Sequence, residues 1–135
     1  MARYLLDSNA FLNFKDDPAR LRPEAREAIE NPGNQLYVSL ASLWELAIKA
    51  ANGKLPFYTS LIAGGANKLT ASLQESGFEL LLIGVQHALI AAALPQYHRD
   101  PFDRMLIAQA IDEDMVLISS DRICQLYRGL KLMAA

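Results

Sequence analysis

Four acidic residues of this 135-residue sequence stand where separate segments can bring them together. Asp7 and Asp121 each follow a short apolar run that is typical of a β-strand, while Glu45 and Asp103 each lie in the first turn of a predicted helix. The carboxyl ends of parallel strands, and the helices that begin there, share one edge of a sheet. We therefore expect the four carboxylates to converge on one crevice.

A crevice of four carboxylates favours a particular chemistry. Two carboxylates about 4 Å apart repel by about 4 kcal/mol at an effective dielectric constant of about 20, so the group is costly unless protons or cations neutralise it. Hard oxygen ligands, without paired cysteines or a histidine cluster, favour Mg²⁺ or Mn²⁺ over zinc. Such ions activate water and stabilise a departing oxygen, so the expected reaction is phosphodiester hydrolysis.

Each of these residues, taken alone, also has a structural interpretation. Asp7 and Asp121 have the residue type and position of helix caps. Glu45 follows Ser42 by three residues, which is the spacing of a capping box. Asp103 would complement the dipole at the start of its helix. Only the convergence of all four favours a catalytic site.

The predicted elements alternate between strand and helix. Four apolar runs predict the strands Tyr4–Leu6, Leu36–Val38, Glu79–Val85 and Val116–Ile118. Parallel neighbours need crossover connections, so this alternation favours a parallel sheet with helices on both faces. We expect a single domain that spans residues 1–135.

Helix starts and stops follow from caps and breakers. Asp100 followed by Pro101 is a strong start signal, and Ser42 with Glu45 predicts a helix that runs towards Gly53. The other helical segments are predicted over residues 19–30, over 59–76 with a break at 64–65, over 86–94 and from 100 through 112.

Composition excludes several classes of protein. Hydrophobic residues make up 52% and charged residues 21%, which is typical of folded globular domains. No apolar run approaches the about 20 residues of a membrane-spanning helix, and the first residues do not resemble a signal peptide, so we expect a cytoplasmic protein without a membrane partner. Cys124 is the only cysteine, which rules out an intrachain disulfide. The net charge of −2 argues against a broad basic surface for nucleic acid but leaves local contacts to phosphate open.

Four segments resemble the signature motifs of PIN domains, and most closely those of VapC-type toxins. They are Leu5-Leu6-Asp7-Ser8-Asn9, Ser42-Leu43-Trp44-Glu45-Leu46, the block from Asp100 to Ala110 that begins Asp-Pro-Phe-Asp-Arg, and Ile118-Ser119-Ser120-Asp121. The resemblance covers almost the whole chain in order and spacing. It implies a three-layer α/β/α fold with a central, mostly parallel sheet of four to five strands.

The resemblance also implies roles for individual residues. The residues that match the four acidic positions of the family are Asp7, Glu45, Asp103 and Asp121. Of these, Asp7, Asp103 and Asp121 are the expected ligands of Mg²⁺ or Mn²⁺. Ser8 and Ser119 stand where threonine is frequent in the family, and Asn9 matches it. These three would orient the carboxylates or a bound water.

The implied function is a metal-dependent endoribonuclease that acts as the toxin of a toxin–antitoxin pair. A small antitoxin protein would block the site, and the protein would often be a homodimer. A non-catalytic module of the same fold that binds RNA or protein is the alternative, and the presence of all four acidic residues argues against it. A phosphatase with Asp7 as nucleophile would want a second aspartate at position 9, where the sequence has Asn9.

Residues near the acidic positions have simpler predicted roles. His87 fits the start of a helix, and His98 is interpreted as a hydrogen-bonding loop residue. Arg104 is expected either to contact phosphate or to form an ordinary surface salt bridge. Trp44 and Phe102 have rings that can stack on bases, but their apolar neighbours favour burial in the core.

Overall fold

The strands form one parallel sheet. The computed structural model describes residues 2–135, and in that range the strands are β1 (Arg3–Leu6), β2 (Gln35–Ser39), β3 (Phe78–Leu81), β4 (Val116–Ser119) and β5 (Lys131–Ala134). Their order is β3-β2-β1-β4-β5, and every pair of neighbours is parallel. The predicted sheet of four to five mostly parallel strands is confirmed.

Helices connect the strands and cover the sheet. They are α1 (Ser8–Asp16), α2 (Pro23–Glu30), α3 (Leu40–Ala51), α4 (Pro56–Ile62), α5 (Ala66–Glu75), α6 (Val85–Ala93) and α7 (Pro101–Asp112). Short 3₁₀ turns span Pro18–Arg20 and Arg122–Leu126. The break predicted at residues 64–65 separates α4 from α5. In the part of the chain that the structure describes, no helix is both long and apolar enough to cross a bilayer.

Hydrophobic side chains fill the space on both faces of the sheet. Successive strand residues point to opposite faces, and Leu5 and Leu6 of β1 are both fully buried. Leu6 belongs to a core cluster with residues of α1 to α5, whereas Leu5 belongs to a second cluster with residues of α7. The three-layer α/β/α architecture is therefore confirmed.

Three segments differ from the sequence-based prediction. The helix α1 was not predicted, although Asp7 caps it by accepting a hydrogen bond from the backbone N–H of Ala10. The helix predicted over 19–30 begins only at Pro23, because a proline disfavours the helical conformation of the residue before it. The edge strand β5 was also missed, since Lys131–Ala134 contains no β-branched or aromatic residue.

Two predicted boundaries were wrong for reasons visible in the packing. The strand predicted over Glu79–Val85 ends at Leu81, because its neighbour β2 ends at the paired residue Ser39. The helix predicted to begin at Ser42 begins at Leu40, and Ser39 caps it by accepting a hydrogen bond from Ala41. The capping box of Ser42 and Glu45 therefore does not form.

Gly77 connects α5 to β3 with a positive φ of 83°. We expect Gly77→Ala to lower the free energy of unfolding by about 1 kcal/mol, because side chains other than glycine are strained in this region. A Cβ at this position would meet no atom within 4 Å, so the cost comes from the backbone alone. Urea unfolding monitored by circular dichroism measures it.

Gly77→Asn provides the matched control for this substitution. Asparagine adopts the left-handed region more readily than alanine does. Gly77→Asn should therefore lose less stability than Gly77→Ala. Equal losses in the two variants would contradict the backbone explanation.

Candidate active site

The acidic site begins at two adjacent strand ends. Asp7 follows β1 and Asp121 lies just after β4, and these strands are neighbours in the sheet. The backbone N–H of Asp7 donates a hydrogen bond to the carbonyl of Ile118, at 3.1 Å. The carboxylates of Asp7 and Asp121 are close enough for the charge of Asp121 to raise the pKa of Asp7.

Two helices bring the other carboxylates to the same edge. Asp103 lies in the first turn of α7, as predicted. Glu45 lies in the second turn of α3, because α3 begins earlier than the sequence indicated. The Ser8 hydroxyl donates a hydrogen bond of 2.5 Å to Glu45 Oε1, and Lys49 Nζ lies 3.5 Å from Glu45 Oε2. The hydrogen bond from Ser8 therefore connects the start of α1 to the side chain of Glu45 on α3.

Asp7 is more enclosed than Asp103 or Asp121. Burial raises its pKa above the ordinary value, and hydrogen bonds from Ser119 and from the backbone N–H of Ala10 only partly offset this effect. The negative charge of Glu45 raises the pKa further. Asp7 therefore combines a structural role, as the cap of α1, with an energetically costly buried charge.

Asp103 has the clearest pKa shift in the site. Burial is the main reason that its pKa is raised to about 6. The carboxylates of Asp100, Glu45 and Asp121 raise it further. His98 opposes this rise but does not outweigh it. The charges of Glu45 and Asp121 thus raise the pKa values of both Asp7 and Asp103, which shows that the four predicted residues converge on one region.

Asp121 has an environment that favours its ionised form. Burial acts to raise its pKa, but hydrogen bonds from His98 and from the backbone N–H of Ile123 together hold the pKa below its ordinary value. The Ile123 N–H lies 2.9 Å from Asp121 Oδ1, and His98 Nε2 lies 2.6 Å from Asp121 Oδ2. Asp121 is therefore a carboxylate held in a fixed orientation.

Most of the chain matches a known protein family. The model of the PIN domain family matches residues 4–129. The chain belongs to the PIN domain family. The expected family membership is confirmed, and the match includes all four carboxylates of the site.

Individual relatives of this PIN domain include a curated protein and several solved structures. Ribonuclease VapC22 of Mycobacterium tuberculosis is 29% identical over 131 residues, covering 95% of this chain and 94% of that protein. A crystal structure of VapBC2 from Rickettsia felis, bound to a promoter DNA fragment, has a TM-score of 0.68 at 18% identity and 98% coverage of both chains. VapBC-1 from nontypeable Haemophilus influenzae has a TM-score of 0.63 at 19% identity, with 98% and 97% coverage.

The donor set of this PIN domain fits a hard divalent cation. Neither Asp7 nor Asp103 forms an ion pair with lysine or arginine in residues 2–135. Their pKa values are raised because buried negative charge is not compensated there. A cation between the carboxylates would supply the missing compensation, and oxygen donors favour Mg²⁺ or Mn²⁺.

Zinc is less suited to this PIN domain. Within the described residues, the triads of potential ligand atoms that lie within 4.8 Å of one another are His98-Asp121-Cys124 and His87-Asp112-Glu113, and neither contains Asp7 or Asp103. Burial raises the pKa of Cys124 to about 11, which disfavours the thiolate that zinc binds. The four carboxylates offer only oxygen donors, which favour Mg²⁺ or Mn²⁺ over zinc, although within residues 2–135 no three of them are grouped as tightly as these triads.

The residues predicted to orient the carboxylates differ in their placement. Ser8 contacts Glu45, as described above, and Ser119 contributes to the hydrogen bonding of Asp7. Asn9 is exposed, and residues 2–135 show no hydrogen bond from its side chain. Its orienting role stays a prediction.

Sequence reasoning missed the partners of His98. It is a buried, hydrogen-bonding loop residue, as predicted, but the sequence did not indicate that its partners are Asp121 and Tyr127. The signal in the sequence was its position two residues before Asp100, the cap of the helix that carries Asp103. That position places His98 at the same edge of the sheet as the acidic site.

Arg104 has neither of its predicted roles. Its guanidinium group is buried and donates to backbone carbonyls at the end of α6 and in the following loop. The acceptors are Ala91 at 2.7 Å, Leu94 at 2.8 Å, Pro95 at 2.9 Å, His98 at 3.1 Å and Ala92 at 3.5 Å. Arg104 therefore stabilises the α6–α7 connection that contains His98.

The prediction that Trp44 is buried was wrong. The buried positions of α3 include Leu43 and Leu46, and Trp44 is on the outer side with 60% of its surface exposed. Its ring meets the ring of Phe102 edge to face, with centroids 5.2 Å apart. The aromatic pair is thus a surface feature beside the start of α7.

Proposed function

We propose that this chain is a metal-dependent endoribonuclease and the toxin of a toxin–antitoxin pair. The observation that carries the proposal is the group of four converging carboxylates, in which Asp7 and Asp103 have raised pKa values. The relative named Ribonuclease VapC22 supports the nuclease activity. The VapBC structures, which share the fold, support the toxin role.

The residues of the site have different roles in the proposed reaction. Asp7, Asp103 and Asp121 would hold Mg²⁺ or Mn²⁺. When bound, the ion would activate water and stabilise the oxygen that leaves the phosphate. Glu45, held between Ser8 and Lys49, would orient the attacking water or a second ion.

The substrate and partners are part of the same proposal. RNA would be the substrate, and a small antitoxin protein would cover the acidic site. We propose a homodimer in the cytoplasm, and light scattering of the purified protein would show whether its mass is that of two chains. Local cations such as Lys49 would contact RNA phosphates.

The first experiment is cleavage of a mixed RNA pool by the purified protein. We expect cutting with Mg²⁺ or Mn²⁺, none with EDTA, and recovery when the metal is restored in excess. The products should carry 5′-phosphate and 3′-hydroxyl ends, because the proposed attack is by water rather than by the ribose 2′-oxygen.

Two outcomes would contradict this proposal. Cutting that persists in EDTA, or products with 2′,3′-cyclic phosphate ends, would exclude the proposed hydrolysis. A folded protein that binds RNA but does not cut it with either metal would favour a non-catalytic module of the same fold.

A further inference from the structure

A hydrogen-bond chain connects Asp121 to the buried Tyr127 through the buried imidazole of His98. His98 Nε2 lies 2.6 Å from Asp121 Oδ2, and His98 Nδ1 lies 2.8 Å from the Tyr127 hydroxyl oxygen. The backbone N–H of His98 donates to the same hydroxyl oxygen, at 3.0 Å. The rings of His98 and Tyr127 are also stacked, with centroids 5.5 Å apart. Both the position and the plane of the imidazole are therefore fixed.

The Asp121 carboxylate determines the direction of its hydrogen bond with His98. An ionised carboxylate can only accept hydrogen bonds, so His98 Nε2 carries a hydrogen and donates it to Asp121 Oδ2. The Tyr127 hydroxyl lies within hydrogen-bond distance of both Nδ1 and the backbone N–H of His98. Tyr127 therefore holds the imidazole on the side opposite Asp121.

We propose that His98 is a positioning residue, which holds the Asp121 carboxylate for metal binding through its Nε2–H donor, and that Tyr127 fixes the orientation of the imidazole. The inference rests on the proposed metal-dependent function. It adds two residues, His98 and Tyr127, that touch neither metal nor substrate.

The hydrogen bonds to Asp121 leave room for a cation. His98 Nε2 donates to Oδ2 and the backbone N–H of Ile123 donates to Oδ1, so both oxygens are held in place. Each carboxylate oxygen keeps a further lone pair that a metal ion can use. Residues that orient metal ligands in this way typically contribute about 10- to 100-fold to metal affinity or activity.

The test measures Mn²⁺ binding to the RNA-free protein by isothermal titration calorimetry. We expect His98→Ala to weaken Mn²⁺ binding by about tenfold or more. His98→Gln should restore much of the affinity, because its amide nitrogen can donate from a position close to that of Nε2. Asp16→Asn, which changes an exposed residue at the end of α1, should bind Mn²⁺ with the original affinity.

A second readout follows the proton on the imidazole itself. Long-range ¹H–¹⁵N correlation spectra of the metal-free protein should show hydrogen on Nε2 of His98. Tyr127→Phe removes the hydroxyl and keeps the ring, so it should cause a smaller loss of Mn²⁺ affinity than His98→Ala.

The outcomes separate this inference from the proposed function. If the unsubstituted protein binds Mn²⁺ and His98→Ala binds it equally well, the positioning role is overturned while the metal site stands. A His98 without hydrogen on Nε2, or a glutamine variant as weak as the alanine variant, would also overturn it. If the unsubstituted protein binds no Mn²⁺, both the proposed function and this inference fail. Thermal melting of each variant identifies a loss that is due to unfolding.

Discussion

Asp103→Asn should abolish RNA cleavage and, at the same time, stabilise the metal-free protein at neutral pH. Cleavage should fall by more than the about 100-fold that is typical of residues that only orient a metal ligand, because Asp103 is a proposed ligand itself. The stabilising effect has the same origin. A buried negative charge that serves a cation is a cost to the fold when no cation is bound.

The pH dependence of stability gives the sign of this effect. The pKa of Asp103 is about 6 in the folded chain, compared with an ordinary value of 3.8. A raised pKa contributes stability that is complete below the unfolded value and is lost as the pH rises through about 6. Asparagine has no such loss, so the advantage of the variant should appear above that pH.

Thermal unfolding in EDTA across this pH range measures the stabilisation. Asp103 is only half-buried, so solvent screening limits the gain to about 1 kcal/mol, or a few degrees in Tm. Mn²⁺ should raise the Tm of the unsubstituted protein but not that of Asp103→Asn. Asp16→Asn, which replaces an exposed carboxylate at the end of α1, should leave cleavage and the Mn²⁺ response unchanged.

A variant that cuts RNA normally would remove Asp103 from the proposed site. A variant that is inactive but less stable than the unsubstituted protein at pH 8 would also disagree with the proposal. In that case, Asp103 would be a structural carboxylate whose hydrogen bonds matter more than its charge.

The sequence predicted the placement of the carboxylates better than their local structure. Asp7 and Asp121 follow strands whose apolar runs are continuous, and buried parallel strands produce that pattern. The start of α3 was predicted poorly because Ser39 and Ser42 are both suitable caps. Only the end of β2 at Ser39 decides between them. Glu45 therefore lies in the second turn of α3 rather than in the predicted first turn.

The contacts of His98 and Trp44 depend on tertiary structure that local patterns do not record. His98 and Asp121 are 23 residues apart, and their contact requires both the α6–α7 loop and the end of β4. Trp44 has apolar neighbours in sequence, but the buried positions of α3 include Leu43 and Leu46 and leave Trp44 on the outer side of the helix. Side-chain burial is therefore harder to predict than strand order.

The buried position of Arg104 predicts the largest loss of stability among the substitutions considered. Its guanidinium group satisfies carbonyls that the end of a helix would otherwise leave without partners. Arg104→Met would remove every one of these hydrogen bonds while keeping an apolar stem. Because an unsatisfied buried polar group costs about 1 to 3 kcal/mol, we expect a loss of about 3 kcal/mol or more in the free energy of unfolding.

Two further variants, Arg104→Lys and Arg99→Met, distinguish the effect of the positive charge from the effect of the hydrogen bonds. Arg104→Lys keeps the positive charge at the end of α6. Its single ammonium group cannot replace the forked guanidinium donors, so the free energy of unfolding should still fall by about 2 kcal/mol. Arg99 is exposed in the same loop, and Arg99→Met should change stability by less than about 0.5 kcal/mol. Urea unfolding measures all three variants.

If Arg104→Lys were as stable as the unsubstituted protein, the positive charge at the end of α6 would account for the stabilising effect of Arg104, and the hydrogen bonds would not be needed. If it is destabilised as expected, the fixed path of residues 94–98, and with it the position of His98, depends on the guanidinium group.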